Sequence, residues 1–131
     1  MTFRDKDEVE RAYAFMRSQG VRVVNSLGAS LPGYVDSKAA ARLALANGLA
    51  TVSSSDEQAA DGYLLAYSTS DADAIGRMAR QLDKILRGTP AGEIPFELPT
   101  TFKLSINMKT ARALHLSIPR DLLLRAEKVY E

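Results

Sequence analysis

Hydroxyl and amide side chains follow three short apolar segments of this chain, each directly before a run with helical periodicity. The three strings are NSLGAS at 25–30, SSSD at 53–56 and YSTSD at 67–71. Because the carboxyl ends of parallel strands meet at one edge of a sheet, we expect these side chains to lie together. Helix N-termini at the same edge add backbone N–H donors and a positive dipole end. Such an edge suits the binding of a small polar solute, especially one that carries a carboxylate.

The candidate ligand-binding residues come from these three strings. They are Ser26, Ser30, Ser54, Ser55, Tyr67, Ser68 and Asp71. A second interpretation stays open, because Ser, Thr and Asp before a helix are also ordinary N-cap residues. Tyr67 has a similar pair of interpretations, since its ring can stack on an aromatic ligand or pack at the rim of the core.

No catalytic constellation accompanies these hydroxyls. His115 is the single histidine, and its position between Leu114 and Leu116 predicts a structural side chain. The chain has no cysteine, and the acidic strings DKDE and DADA fall where helices begin, so dipole-favoured capping explains them. The motifs GxSxG, GxGxxG and Walker A do not occur. We therefore predict no enzymatic activity, no metal site and no cofactor.

Composition sets the class of protein. The chain has 131 residues, a length that suits one domain, and 46% of them are hydrophobic. The formal net charge is +1, with 17 basic and 16 acidic residues and no cationic run, which argues against a nucleic-acid partner. No apolar run approaches the roughly 20 residues that a transmembrane helix needs. The string MTFRDKDEVERAY does not have the pattern of a signal peptide.

Helices and strands alternate along the first two thirds of the chain. Three amphipathic runs close at Gly20, Gly48 and Gly88, where glycine tolerates the left-handed conformation of a helix end. Their predicted apolar faces are Val9, Ala12, Tyr13 and Met16; Val35, Ala39, Leu43 and Ala46; and Ile75, Met78, Ala79, Leu82 and Leu86. Apolar segments at 21–25, 49–53 and 63–67 predict strands covered on both faces, and 55–61 predicts a short helix. This order indicates an α/β fold with a mainly parallel sheet.

Two features depart from simple alternation. Residues 89–100 hold three of the five prolines and predict an extended connector. Residues 2–4 resemble the remnant of a first strand that the fold otherwise lacks. After the connector, a strand runs into Asn107, a helix follows at Met108, and SIPR at 117–120 marks another helix start.

The last third of the chain resembles the ABC-transporter substrate-binding proteins of the tryptophan/tyrosine type. That family repeats a KILKG helix end, a proline-rich connector and the pattern F.L.IN.KTA.ALGL.IP, and then a short final helix. The corresponding segments here are 84–88, 90–99, 102–119 and 121–131. His115 stands where the family commonly has glycine. The resemblance is weaker over the first 75 residues, where it rests mainly on the order of the elements.

The resemblance implies a three-layer Rossmann-like lobe of the type I periplasmic binding protein kind, lacking its first strand. It makes residues 1–131 a single lobe that corresponds to the C-terminal half of a two-lobe protein. The implied function is non-catalytic binding of a small polar solute, such as an amino acid, in a cleft between lobes, outside the cytoplasm and with an ABC permease as partner. By position, Asp71 matches an acid of the family pattern, whereas the serines at 53–55 replace its GSE.

An alternative interpretation stays open at this point. The same α/β module could bind an effector inside the cell as a stand-alone domain, or be a degenerate remnant of a larger protein. Under either interpretation a lobe face or a sheet edge is left uncovered, so we also predict a homodimer formed through one of these surfaces.

Overall fold

The computed structural model describes residues 6–26 and 36–131, which divide into two compact units. The first unit comprises the described residues up to Ser68 together with Leu104–Glu131, and the second is Thr69–Lys103. The predicted strand remnant at 2–4 lies outside the described residues, as do Ser30 and Val35.

Six helices and five strands make up the described residues. In chain order they are α1 (Lys6–Ser18), β1 (Val23–Ser26), α2 (Ser37–Ala46), β2 (Ala50–Ser53), α3 (Asp56–Asp61), β3 (Leu65–Thr69), α4 (Asp71–Leu86), β4 (Phe102–Asn107), α5 (Met108–Ala113), α6 (Arg120–Arg125) and β5 (Lys128–Tyr130). A single 3₁₀ turn, Ala91–Glu93, interrupts the otherwise irregular connector.

The strands form one sheet in the order β1-β2-β3-β4-β5. The pairs β1·β2, β2·β3 and β4·β5 are parallel. Two hydrogen bonds bracket β3 and β4: the Asn107 N–H donates to the Leu64 carbonyl (2.9 Å), and the Ser70 N–H donates to the Thr101 carbonyl (3.2 Å). The start of one strand therefore meets the end of the other, and the two run in opposite directions. The prediction of an α/β fold with a mainly parallel sheet is confirmed.

The core of the first unit forms where α1 and α2 meet the start of the sheet. Val9, Tyr13, Ala44 and Leu49 make one buried cluster. The predicted inner face of α1 is confirmed, but that of α2 is wrong at Ala46, which is exposed. Alanines 40, 41 and 44 are buried instead, because α2 packs against α1, α3 and β2 together and close approach requires small side chains.

Two strand predictions need correction. We expected β1 to be covered on both faces, yet its residues alternate between exposed and half-buried, because β1 is at an edge of the described sheet. The predicted final helix over 121–131 is wrong: α6 ends at Arg125, and the following residues form β5. There the Glu127 N–H donates to the Leu104 carbonyl (2.8 Å), and Val129 pairs with Ile106, so sheet pairing replaces helix propensity.

Helix ends follow one repeated design. Gly20, Gly48 and Gly88 have φ of 79°, 65° and 98°, which confirms the predicted left-handed positions. After each, the next N–H donates to a carbonyl five residues back, as Leu49 does to Ala44 at 2.9 Å. His115 occupies the same position after α5, with φ of 55°, and is the only non-glycine residue with positive φ among the described residues.

The second unit is built on α4, and none of the residues of α4 is buried. Its predicted apolar face is therefore not a core face of this chain: Ile75, Met78, Leu82 and Leu86 are all more than half exposed. The connector that follows contributes Phe96, which is 97% exposed. Within this unit, Arg77 on α4 donates to the Leu98 carbonyl (2.7 Å) and to Thr100 Oγ1 (2.9 Å).

Candidate functional site

The carboxyl ends of β1 and β2 lie side by side at one edge of the sheet. Pairing aligns Ser26 with Ser53, and Ser53 is aligned in turn with Ala66 of β3. The strand ends from which the three polar strings begin are therefore neighbours in the sheet, and the meeting of the strings beyond them stays a prediction. Ser53 is buried and Ser26 is half-buried.

The serines after β2 separate the two interpretations of these hydroxyls. Ser53 Oγ donates to the Ser55 carbonyl (3.0 Å) and accepts from the Ser55 N–H (3.4 Å), so it shapes the turn. Ser55 is the N-cap residue of α3, yet its side chain makes no capping hydrogen bond. Ser54 is exposed. Simple capping therefore does not account for Ser54 or Ser55, and both hydroxyls remain candidates for a ligand.

Ser26 has a structural partner. A side-chain hydrogen bond joins it to Tyr63, which is 2% exposed. Burial raises the pKa of Tyr63, while this hydrogen bond from Ser26 acts in the opposite direction. The pKa of Tyr13 is raised to about 12, mainly by burial and to a smaller extent by the nearby charge of Tyr63. Both phenols therefore stay protonated near neutral pH, and Ser26 anchors β1 to the core.

Tyr67 and Ser68 follow each other on β3 and so point to opposite faces of the sheet. Tyr67 is 53% exposed, whereas Ser68 is buried. Because they are on opposite faces, the two side chains can contact the same solute only if it lies at the end of β3. Of this predicted pair, Tyr67 is therefore the residue whose ring is exposed to solvent.

The remaining candidate, Asp71, belongs to the second unit. It is the first residue of α4 and is exposed. The residue before it, Ser70, is a true helix cap, because its side chain accepts from the Asp73 N–H at 3.4 Å. The capping interpretation is thus correct for Ser70. Ser30 lies outside the described residues.

Sequence reasoning missed a polar cluster centred on Asp56, at the start of α3. Its carboxylate accepts hydrogen bonds from Ser105 Oγ of β4 and from the Lys128 ammonium of β5. The hydrogen bond to Asp56 is also the main cause that raises the pKa of Lys128. The one available signal was Ser105, a hydroxyl between the apolar residues Leu104 and Ile106 at a position that is buried in the structure. The hydrogen bond from Ser105 connects α3 to β4, and the ion pair with Lys128 connects α3 to β5 and balances the charge of Asp56.

The described ranges contain no group of three or more His, Asp or Glu side chains placed to hold a metal ion. None of the helices in those ranges has both the length and the apolar character needed to cross a bilayer.

Comparison with known proteins adds the family. The family model described as "ABC transporter substrate binding protein" matches residues 29–130. No curated protein matches the chain.

Three solved structures share the fold at low sequence identity. A conserved domain protein from Vibrio cholerae O1 biovar El Tor has a TM-score of 0.78 at 17% identity, with 98% of this chain and 43% of that chain covered. An ABC domain from Streptococcus pneumoniae, in complex with L-Trp, has a TM-score of 0.76 at 17% identity with the same coverage. A ligand-free, open substrate binding protein with adhesive properties from Clostridium difficile has a TM-score of 0.72 at 14% identity. The match covers 95% of this chain and 41% of that chain.

This chain therefore spans less than half the length of each of these structures. Their likeness shows the fold, and the family match extends over most of the chain. The chain belongs to the ABC transporter substrate binding protein family.

Proposed function

We propose that this chain is a non-catalytic, solute-binding lobe of an ABC importer that works outside the cytoplasm. The observation that carries the proposal is the family match over residues 29–130. The aligned carboxyl ends of β1, β2 and β3 support it, because solutes bind at that edge in open α/β sheets. An ABC permease is the expected protein partner.

The proposed solute is a small polar molecule with a carboxylate, such as an amino acid. Ser54 and Ser55 offer hydroxyls, and Tyr67 offers an exposed ring. The L-Trp complex of the structurally similar S. pneumoniae domain supports an amino acid that itself carries an aromatic ring. Ser26, Ser30, Ser68 and Asp71 complete the proposed set. The main proposed role of Ser26 is to hold the end of β1 in place through its hydrogen bond to Tyr63.

Affinity should be low for this chain by itself. The proposed cleft needs a second wall, and the chain spans only 43% of the V. cholerae and S. pneumoniae structures. Ligand sites usually bury most of the ligand surface, and about half of that contact is lost with one wall missing. A solute bound at about 1 μM by two walls would then be bound at roughly 1 mM.

Calorimetric titration of this chain with L-Trp tests the proposal. We expect saturable binding near roughly 1 mM, weakened several-fold by Tyr67→Ala and by the double change Ser54→Ala and Ser55→Ala. Ser117→Ala, a serine exposed after α5, is the matched control. Equal affinity in all variants, or no saturation with any of the twenty amino acids, would refute the proposed site. Submicromolar binding would show that one wall suffices.

We further propose that the chain self-associates through the exposed face of α4. Ile75, Met78, Leu82 and Leu86 form one apolar stripe along this helix. The first turn is acidic and the last turn is basic, as Asp71 and Lys84 show. Two copies packed antiparallel would bury both stripes and place each acidic end beside a basic end.

A further inference from the structure

The first unit has a second concave surface, at the opposite end of the strands from the proposed solute edge. This cavity has a volume of about 760 Å³ and lies beside the first residues of β1 and β2. Its walls come from the end of α1, the segment before β1, the end of α2 and the turn after α5. Its volume is in the range of sites that hold organic ligands, about 300–1,000 Å³.

Three cationic or potentially cationic side chains line this cavity: Arg17, Arg22 and His115. No Asp or Glu is among its lining residues. Within the part of the chain that the structure describes, neither arginine forms an ion pair. The cavity therefore presents positive charge without an acidic partner in its walls.

Helix dipoles explain only part of this arrangement. Arg17 is in the last turn of α1, and its guanidinium lies over the end of α2, 3.6 Å from where a Cβ on Gly48 would be. Each helix end supplies about half a negative charge, so the two ends together offset about one of the two guanidinium charges. Arg22 belongs to no helix. The positive charge is therefore available to a ligand.

Asn47 is the one further polar side chain in the wall, and the other lining side chains are apolar. Val23, Leu45, Leu114 and Leu116 line the cavity, and Val23 is 58% exposed. A guanidinium binds a carboxylate through two parallel hydrogen bonds, while aliphatic side chains accept an apolar body. We propose that this cavity binds a small organic anion with a carboxylate head and an aromatic or aliphatic body. This site is distinct from the proposed solute edge and does not depend on it.

The test is an NMR titration of the ¹⁵N-labelled chain with phenylacetate, and with phenylacetamide as its uncharged counterpart. Phenylacetate should shift the amide signals of Val23, Gly48 and Ala50 in a saturable way, and phenylacetamide should bind at least tenfold more weakly. Arg17→Gln and Arg22→Gln should each weaken phenylacetate binding about tenfold. Arg11→Gln, on the same helix but outside the cavity, is the matched control and should leave the affinity unchanged.

Three results would overturn the proposal: equal binding of the two probes, equal weakening by Arg11→Gln, or linear shifts with no saturation. The solute edge has its own reporters, the amides of Ser53, Ser54 and Ser55. Shifts of the Val23, Gly48 and Ala50 amides report on the cavity, and shifts of the Ser53, Ser54 and Ser55 amides report on the solute edge. The two proposed sites are therefore tested separately.

Discussion

Arg77 illustrates how one side chain orders a segment without regular structure. Its guanidinium donates to the carbonyl of Leu98 and to the hydroxyl of Thr100, and it also pairs with Asp73 one turn earlier on α4. The Arg77 hydrogen bond is the main cause that lowers the pKa of Asp73. The proline-rich connector is therefore held to α4 by charge-assisted hydrogen bonds rather than by buried apolar surface.

Arg77→Gln should release the connector while α4 stays folded. We expect faster hydrogen exchange or proteolysis across residues 95–101, because both anchoring contacts are lost. Arg87→Gln is the control, since Arg87 also pairs with an aspartate four residues earlier on α4 but, among the described residues, forms no side-chain hydrogen bond to the connector. Equal protection of 95–101 in the two variants would contradict this role of Arg77.

The same pair predicts a dependence on pH. A carboxylate whose pKa is lowered in the folded chain adds stability above its ordinary pKa of 3.8, and that stability is lost as pH falls through the folded value. Protection of 95–101 should therefore decrease in acid. In Asp73→Asn this acid-induced change should be smaller, whereas Asp83→Asn, which affects the pair with Arg87, should behave like the unmodified chain.

At the scale of the elements, Asn107 connects β4, α3 and α5. Its side-chain amide donates to the Ala59 carbonyl of α3 (2.9 Å), and its side-chain oxygen accepts the Thr110 N–H as the cap of α5 (3.0 Å). Thr110 Oγ1 in turn donates to the Gly62 carbonyl (2.7 Å). The IN.KT part of the family pattern thus marks the join between β4, α5 and the end of α3.

Asn107→Ala should lower the free energy of unfolding by about 2–3 kcal/mol, from one lost helix cap and one buried carbonyl left without a donor. Urea unfolding measures this change. Asn47→Ala is a suitable comparison, because Asn47 donates only to the Leu43 carbonyl of its own helix. We expect it to cost about 1 kcal/mol or less. Similar losses for both variants would contradict the linking role of Asn107.

The end of α5 repeats the closure of the other helices but places His115 where they have glycine. The His115 N–H donates to Arg112 (3.0 Å), and the Leu116 N–H donates to Ala111 (2.9 Å). A left-handed conformation costs a non-glycine residue about 1–2 kcal/mol. This cost is the physical reason that glycine suits the position of His115 better than other residues do.

His115→Gly should therefore raise stability by up to about 1 kcal/mol, after the entropy gained by the unfolded glycine is subtracted. His115→Val should lower it, because a β-branched residue tolerates positive φ poorly. Unfolding of the three proteins should rank them Gly, His, Val. Ser117→Gly, two residues away, is the control and should not stabilise. A valine variant as stable as the histidine protein would contradict strain at this position.

Local rules let the sequence predict most of these elements. Glycine-closed helices, the strand into Asn107 and the neighbouring positions of the strand ends were all predicted correctly, because each depends on a short-range pattern. The strand β5 and the cluster around Asp56 were not predicted. Both depend on contacts between residues far apart in sequence, such as Val129 with Ile106, which no local pattern indicates. The exposure of α4 was missed for a related reason, since amphipathicity identifies a face but not its partner.

At the scale of the whole molecule, the proposed self-association can be measured directly. Light scattering should show a mass that rises from the monomer value of 14.3 kDa toward twice that value with concentration. Leu82→Glu should keep the chain monomeric, whereas Leu124→Glu, an exposed leucine on α6, should not. Asp71→Lys should weaken association, and adding Lys84→Asp should restore it. A monomer at all concentrations would contradict self-association through this face.

The opposite directions of β3 and β4 have a consequence for protein engineering. Residues 69–103 leave the sheet at the end of one strand and return at the start of its neighbour, so both junctions lie close together, as the Ser70 to Thr101 hydrogen bond shows. A two-residue Asn-Gly turn is enough to join antiparallel neighbours. The second unit can thus be treated as an exchangeable cassette. Replacing it with a hairpin turn should leave a shorter chain that keeps the core of the first unit, the cavity lined by Arg17 and Arg22, and the solute edge apart from Asp71, and that lacks the exposed helix α4.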